Sequence, residues 1–561
     1  MKSKISNIYI NNKKVILAIA LTLLSLIFLW QICPIMYQNN DDKFLLYMIA
    51  GYTTGKPEMA TIFGGFLWAK IIGLLYQLYN GITWYTLASI VVIGFSIAVI
   101  NRSLITSNKT KVIVLDLVFM LAIFAEMLAY FSTAIQYTMT AAYAGTAGCC
   151  MLLIALREEN ASRLHIVLSV ILLALSYSIR KQMGLVVLSC YCFALLFGYF
   201  KYAKKIVVKY AIVIFLVFGL VYSSNYIYEK ATGLSEFNRY YSIVQGWIDY
   251  PHVDIKDDEK LYNSVDWDKE LYDAATEWFF LDERVNEEAF TILNPAIAND
   301  KLSFNQKLSE AINALANKQM INMQVLIWFF ILVVFNIVAL KKCKKELLFV
   351  DSVFIFFLLL SAYFCIYKGR FPLRVYQALV LIYGVPSLSV MWRAIEDCKY
   401  YKTKITVGIT MLLIVVCSFK FYPAGSMVHE LKLATHDGDR QHMIEAVTNL
   451  EEYACSHKNN IYIYDYELSQ PADPFVNFGN ESPYNVMFWG GWTYNSPVYF
   501  KQLKANGLDE LKPDDLIDSN IYICGMYHDE VIYNYMKSRF GKVEIEDVDS
   551  VGDVLIYRYT R

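Results

Sequence analysis

The chain has 561 residues, of which 57% are hydrophobic in type and only 18% charged, with a formal net charge of −1. That balance is rare in a soluble protein; the net charge says nothing of partners, because the charge is segregated by side, and no nucleic-acid partner is expected. Apolar runs of about 18 residues or more recur, each long enough to cross ~30 Å of hydrocarbon, so the chain reads as an α-helical multi-spanning membrane protein.

In chain order, the segment 15–36 reads as a retained anchor rather than a cleaved signal, because it lacks a small-residue cleavage site and many spans follow it. Further spans are expected at 82–100, 112–133, 135–156, 164–180, 184–200, 206–228, 322–340, 347–367, 371–391 and 404–422, making eleven. The segment 61–79, with Gly64-Gly65, Lys70 and Gly73, is apolar enough to cross or to lie along the surface. The bias of Lys and Arg toward the cytoplasmic side decides. If 61–79 does not cross, the Lys-rich segments 1–14, 101–111, 157–163, 201–205, 341–346 and 393–403 all fall inside. This places 61–79 in a first outer loop, 37–81, as a juxtamembrane helix.

The same topology puts a large loop, 229–321, and the tail from 423 outside. The loop holds about twice as many acidic as basic residues, with helical patterning around Glu270 to Phe280. The tail should open with a helix over 426–455. Period-2 runs at 460–465, 520–524 and 553–559, separated by helical stretches near 499–511 and 528–540, predict a small α/β domain over 423–561. Residues 1–422 form the membrane domain. No zinc-like Cys or His spacing occurs. Cys455 and Cys524 lie in the tail, where an oxidising side would allow them to pair.

The chemistry concentrates at span ends. Asp41 and Asp42 follow the first span directly. One Asp at a helix start serves as a cap; a second suggests a general base held at the membrane edge. Neighbours on a helix point ~100° apart, so only one of the pair should face a reacting centre. Arg180-Lys181 occupies a very short outer turn, and Lys368, Gly369, Arg370 and Arg374 lie in another. Both run against the usual charge bias, and beyond snorkelling at the headgroups they suit phosphate. Glu126 is an intramembrane acid about two turns from an outer end, a functional candidate by default. Asp116 and Asp351 should be interfacial, near inner ends. Glu236, Arg239 and Asp249 open the large loop among aromatics and form a weaker sugar-binding candidate. In the tail, Phe488-Trp-Gly-Gly-Trp492 suits packing better than carbohydrate.

An acidic pair just after the first span, then Gly51-Tyr-Thr-Thr-Gly-Lys-Pro57, then a juxtamembrane helix ending Leu75-Tyr76-Gln-Leu-Tyr79 and a second span opening Trp84-Tyr85, resembles the GT-C superfamily of integral-membrane glycosyltransferases. Protein O-mannosyltransferases, lipid A aminoarabinose transferases and bacterial O-antigen-modifying glucosyl transferases belong there. The first loop has no Pro-Pro, which sets it apart from the mannosyltransferases. The resemblance implies an inverting transfer from a polyprenyl-phosphate sugar to an envelope glycan, lipid or protein acceptor at the outer face of the cell membrane. It implies Asp41 as base, Asp42 as its support, and Arg180, Lys181, Arg370 and Arg374 at the donor phosphate. No cofactor is required by it, although Asp41, Asp42 and Glu126 could hold a divalent ion. An envelope polysaccharide polymerase or ligase, a transporter or flippase, and a glycan-binding scaffold are the competing readings. The lack of internal symmetry speaks against a carrier.

Overall fold

In a bilayer each backbone polar group must find its partner within the protein, so apolar runs of this length form helices. The computed structural model describes residues 2–59, 61–107, 109–157, 163–250, 252–294, 303–309, 323–339, 342–367, 372–420, 427–470 and 472–561. Helix α1 (Lys2–Ile32) leads to a two-residue strand β1 (Met36–Tyr37), the short helices α2 (Asp41–Ala50) and α3 (Phe66–Leu78), and α4 (Trp84–Leu104). Helix α5 (Thr110–Ile123) passes into a π-helical turn, Phe124–Leu128, before strand β2 (Ala134–Ile135) and α6 (Tyr137–Arg157). Then come α7 (Arg163–Ile179), α8 (Lys181–Lys201), α9 (Lys204–Thr232) and α10 (Leu234–Ile248), and after the large loop the apolar helices Met323–Ala339, Lys344–Tyr367, Leu373–Asp397 and Tyr401–Lys420.

Eight helices among the described residues are long and apolar enough to cross a membrane. The other three expected spans lie on Arg163–Ile179, Gln324–Ala339 and Tyr401–Lys420. The ambiguous 61–79 contains only the 13-residue helix α3, which rises about 20 Å at 1.5 Å per residue, short of the ~30 Å core. Helix α6 forms the centre, with its whole apolar window buried. Its small residues allow this: a Cβ on Gly145 would lie 2.3 Å from Val187 and one on Gly148 2.2 Å from the Tyr191 hydroxyl, so α7 and α8 pack onto bare backbone. By contrast α1 and α9 leave Leu24, Phe28, Leu216 and Leu220 exposed, an apolar belt suited to lipid.

Two helices are interrupted, and in both the freed backbone groups are satisfied. Leu373–Asp397 contains a π-helical turn, Val380–Gly384, just before Pro386. Proline has no N–H to give to the carbonyl four residues back, and that carbonyl, Ile382 O, accepts instead from Cys190 Sγ at 3.2 Å. At the end of α5 the carbonyls of Glu126 and Leu128 accept from Gln324 Nε2 and the Tyr143 hydroxyl, each at 2.5 Å. Asp116, expected at an interface, is instead fully buried. It pairs with Lys404 at 2.9 Å and accepts from Trp392 and Thr106, because the start of α5 packs against the helix Tyr401–Lys420. Asp351 accepts from Asn336 at 3.0 Å.

The tail is an α/β domain with a five-stranded sheet in the order β4-β3-β5-β7-β6: β3 (Ile461–Tyr464), β4 (Val486–Phe488), β5 (Ile521–Gly525), β6 (Glu544–Val551) and β7 (Val554–Thr560). Strand β3 pairs parallel with β4 and β5, while β7 pairs antiparallel with β5 and β6. Period-2 alternation sends Tyr462 and Tyr464 toward the helix Gly438–Ser456, and Ile461 and Ile463 to the other face. That second face is shared with the large loop, whose Trp247, Trp267, Phe279 and Phe290 enter the same core as Ile523 and Tyr557. The loop thus contributes to the tail's core, while Leu234, Phe237 and Tyr241 at its start pack into the core that holds the spans. The single expected helix over 426–455 is two, Met427–Thr435 and Gly438–Ser456, split where Asp437 caps the second. Cys455 and Cys524 are separate free thiols, and Cys524 is buried in the sheet.

Candidate functional site

Strands β1 and β2 pair in parallel, Met36 with Ala134 and Tyr37 with Ile135. Each then turns directly into a helix, α2 on one side and α6 on the other. Two helix N-termini thus start side by side at one end of the bundle, and the acidic pair sits on the first of them. Gly51 ends α2 at φ 90°, a conformation that favours glycine, and a Cβ there would meet the backbone of Lys56 at 2.6 Å. This closes the loop back over α2.

The two acids diverge, as the helix period requires. Asp42 is fully buried. Its Oδ1 accepts from the Tyr85 hydroxyl at 2.7 Å and its Oδ2 from the Tyr137 N–H at 3.2 Å. Burial pushes its carboxyl up to about 8, an effect that the Tyr85 hydrogen bond opposes only in part. Asp41 is 17% exposed. Its Oδ2 accepts from Asn39 Nδ2 at 2.9 Å and pairs with Arg374 Nη2 at 3.5 Å.

Arg180 stands between α7 and α8, with its guanidinium 4.6 Å from the Tyr137 ring centroid and Nη1 donating to Thr138 Oγ1 at 2.5 Å. The Tyr137 hydroxyl lies within electrostatic range of Arg180, Asp41, Arg374 and Asp42 together. One carboxylate, one buried carboxyl and two guanidinium groups from three distant stretches of sequence thus meet at the mouth of α6. A partly exposed base beside cations suits proton abstraction from a hydroxyl while an anion departs.

Lys181, Glu236 and Arg239 make their contacts elsewhere. Lys181 turns the other way and pairs with Glu229, which also accepts from Asn225, so it braces α8 against α9. Lys368, Gly369 and Arg370 lie outside the described residues. Glu126 is buried in the π-helical turn of α5, where its carbonyl accepts from Gln324 Nε2. Glu236 is exposed, Arg239 pairs with Glu287 at 2.7 Å, and Asp249 accepts from Gln245 at 2.8 Å, all on or against α10 in the loop–tail unit. Trp489 is fully buried, and Trp492 packs on Phe44 and Phe63 with ring centroids 5.4 Å away in each case.

The fit to a divalent cation is poor. Both oxygens of Asp42 already accept, Arg374 pairs with Asp41, and no group of three metal-capable side chains occurs among the described residues.

Sequence reasoning missed Asn39, Tyr85, Tyr137 and Thr138 as parts of the site. Only Tyr85 carried a signal, as the opening of the second span; Tyr137 and Thr138 look like any helix start.

The tail grips the helix that carries the acids. Lys43, 1% exposed, pairs with equally buried Glu451 of the helix Gly438–Ser456 at 3.5 Å. The hydroxyls of Tyr47 and Tyr464 both donate to that carboxylate. Ser482 donates to the carbonyls of Gly51 and Tyr52 at 3.0 Å, and Arg440 donates to the carbonyl of Tyr37 at 2.5 Å.

No family model matches the chain, and no curated protein matches it. Among solved structures it is similar to ArnT from Cupriavidus metallidurans bound to undecaprenyl phosphate, at 12% identity over 97% of both chains with a TM-score of 0.39. It is also similar to the Archaeoglobus fulgidus oligosaccharyltransferase in the apo form, at 11% identity over 94% of this chain and 71% of that one with a TM-score of 0.43. The archaeal oligosaccharyltransferase AglB from Archaeoglobus fulgidus, in complex with an inhibitory peptide and a dolichol-phosphate, gives 11% identity over 94% of this chain and 71% of that one with a TM-score of 0.41. At TM-scores below 0.5 the likeness fixes no residue's role, and the chemistry is carried by the contacts around Asp41.

Proposed function

We propose that this chain is a membrane glycosyltransferase of the GT-C kind that takes its sugar from a polyprenyl-phosphate donor. The observation that carries the reading is the Asp41–Arg374 pair, 3.5 Å apart and open to solvent, with Arg180 facing the same tyrosine. In the reaction, the acceptor hydroxyl gives its proton to Asp41 as its oxygen forms a bond to the anomeric carbon. The bond from that carbon to the phosphate oxygen breaks with inversion, and its electron pair leaves on the phosphate. Arg374 and Arg180 meet the charge that develops there. A phosphate leaves without a strong general acid, so one base suffices. Asp42 supports the site from below: its hydrogen bonds to Tyr85 and to the Tyr137 backbone lock α2 against α4 and α6. The acceptor is an envelope glycan, lipid or protein, and the face is the extracytoplasmic one, where the first loop and the tail domain lie together.

The test is turnover of the purified protein on a panel of polyprenyl-phosphate sugars. Asp41→Asn should lower kcat by about 10²–10⁴-fold while thermal stability and lipid-phosphate binding persist. Wild-type turnover in Asp41→Asn would remove the base, and no turnover of any lipid-phosphate sugar by the wild type would remove the function.

A further inference from the structure

Buried hydrogen-bonding groups in folded proteins nearly always have partners, and a cluster that lacks them calls for a ligand. Several such groups belong to the stretches that carry Asp41, Tyr137, Arg180 and Arg374. Gln136 is fully buried. Its Oε1 caps α6 by accepting from the backbone N–H of Thr138 at 2.7 Å and Met139 at 3.3 Å, which fixes which way the amide faces. Its Nε2 has no acceptor among the described residues. Gln136 immediately precedes Tyr137, whose N–H holds Asp42 and whose ring carries Arg180.

Gln377 lies one turn from Arg374 on a helix that packs against α6, is 3% exposed, and likewise has an Nε2 without an acceptor. The Nε atoms of Arg180 and Arg374 are in the same condition. All four are donors. On the α2 side two acceptors, Gln38 Oε1 and Asn39 Oδ1, lack donors among the described residues, as do the hydroxyls of Thr133 and Ser176, and Asn39 is fixed because its Nδ2 serves Asp41.

We propose that Gln136 and Gln377 bind the donor substrate: their amide N–H groups, together with Arg180 and Arg374, hold the phosphate oxygens of the polyprenyl-phosphate sugar, and the sugar hydroxyls face Gln38 and Asn39. The inference rests on the transferase reading above. Phosphate oxygens only accept, which matches a set of donors that lack acceptors; hydroxyls both give and accept, which matches the mixed side. Amides serve here better than further cations. A third or fourth positive charge would stabilise the carboxylate of Asp41 and weaken it as a base, whereas a neutral N–H adds a bond without that effect.

Gln136→Glu and Gln377→Glu are nearly isosteric tests. In the first, the capping oxygen stays, the donor is lost and a negative charge faces the phosphate. The probe is a sugar-free polyprenyl phosphate titrated into the full chain in detergent, with melting temperature measured alongside. The wild type should bind it. Each variant should bind at least about tenfold more weakly with an unchanged melting temperature, and in turnover the donor KM should rise more than kcat falls. Wild-type affinity in both variants overturns this inference and leaves the transferase reading standing; failure of the wild type to bind overturns both. If Gln136→Glu melts early, Gln377→Glu and Gln377→Leu decide by the same criteria, and a binding loss that only tracks lost stability in those variants overturns the proposal.

Discussion

At the residue scale, four adjacent positions carry unrelated tasks. Asp41 faces the site, Asp42 is locked beneath Tyr85, Lys43 is buried against the tail and Phe44 packs on Trp492. The ~100° step of a helix sorts them, so the divergence of the two acids was legible from spacing alone, although which of them would be buried was not. The basic pair shows the same sorting: Arg180 stacks on Tyr137 and Lys181 braces α9. Arg180→Met should therefore raise donor KM by about 10–100-fold, the weight of a hydrogen bond to a charged group, whereas Lys181→Met should lower melting temperature and leave KM near the wild-type value. Steady-state kinetics on the two variants, beside thermal melts, separates the roles. Sequence placed the two side by side as phosphate ligands because adjacency in the chain says nothing about direction at a helix break.

At the scale of elements, α2 is a short helix held from both sides. The membrane domain holds it through Tyr85 and the Tyr137 backbone, and the tail holds it through Glu451, Tyr464 and Ser482. A buried ion pair adds little over an apolar pair, but breaking it leaves an uncompensated charge. Lys43→Met alone should destabilise by about 3–5 kcal/mol and lower kcat with it, as α2 loosens. Lys43→Met with Glu451→Gln removes the orphaned charge, leaves an oxygen to accept from one of the two tyrosine hydroxyls and an amide N–H that the other can accept, and should recover more than half of the lost melting temperature. Apolar length and charge bias led to the spans and to the short α3, since those follow from solvent alone. Strand β6 was not foreseen, because Glu544–Val551 is an exposed, acidic edge with no apolar alternation to read. Nor was the Lys43–Glu451 contact, which joins residues 408 positions apart with no pattern in either segment.

At the scale of the whole molecule, the loop and tail form one body seated on the membrane domain, and it carries its own store of buried acid. Asp465 and Asp529 lie just past the carboxyl ends of adjacent strands β3 and β5, and with Glu277 of the large loop they line a cleft of about 660 Å³. Burial pushes the carboxyls of Glu277 and Asp465 up to about 7 and raises that of Asp529. Groups whose pKa is raised on folding hold more protons folded than unfolded, so they support the fold fully below the ordinary carboxylate range and lose that support as pH rises through about 7. Asp42, at about 8, extends the window. Melting temperature should therefore fall as pH climbs from about 4 to 8, and Asp465→Asn with Glu277→Gln should flatten the slope below 7. Melts across that range in one detergent check both. The division into a membrane part and an α/β tail followed from hydropathy and period-2 runs. The enrolment of the large loop in the tail's core did not, because its aromatic residues read equally well as membrane-edge anchors.

The π-helical turn at Val380–Gly384 carries one more residue than an α-helical path would need. Everything above it is thereby rotated by roughly a residue's worth, ~100°, relative to the buried segment below. Arg374 and Gln377 owe their heading to that surplus. Deleting one residue from the turn would straighten the rod, keep its composition nearly intact, and aim the guanidinium away from Asp41, so the geometry of the phosphate end is written partly in the count of residues rather than in their kind.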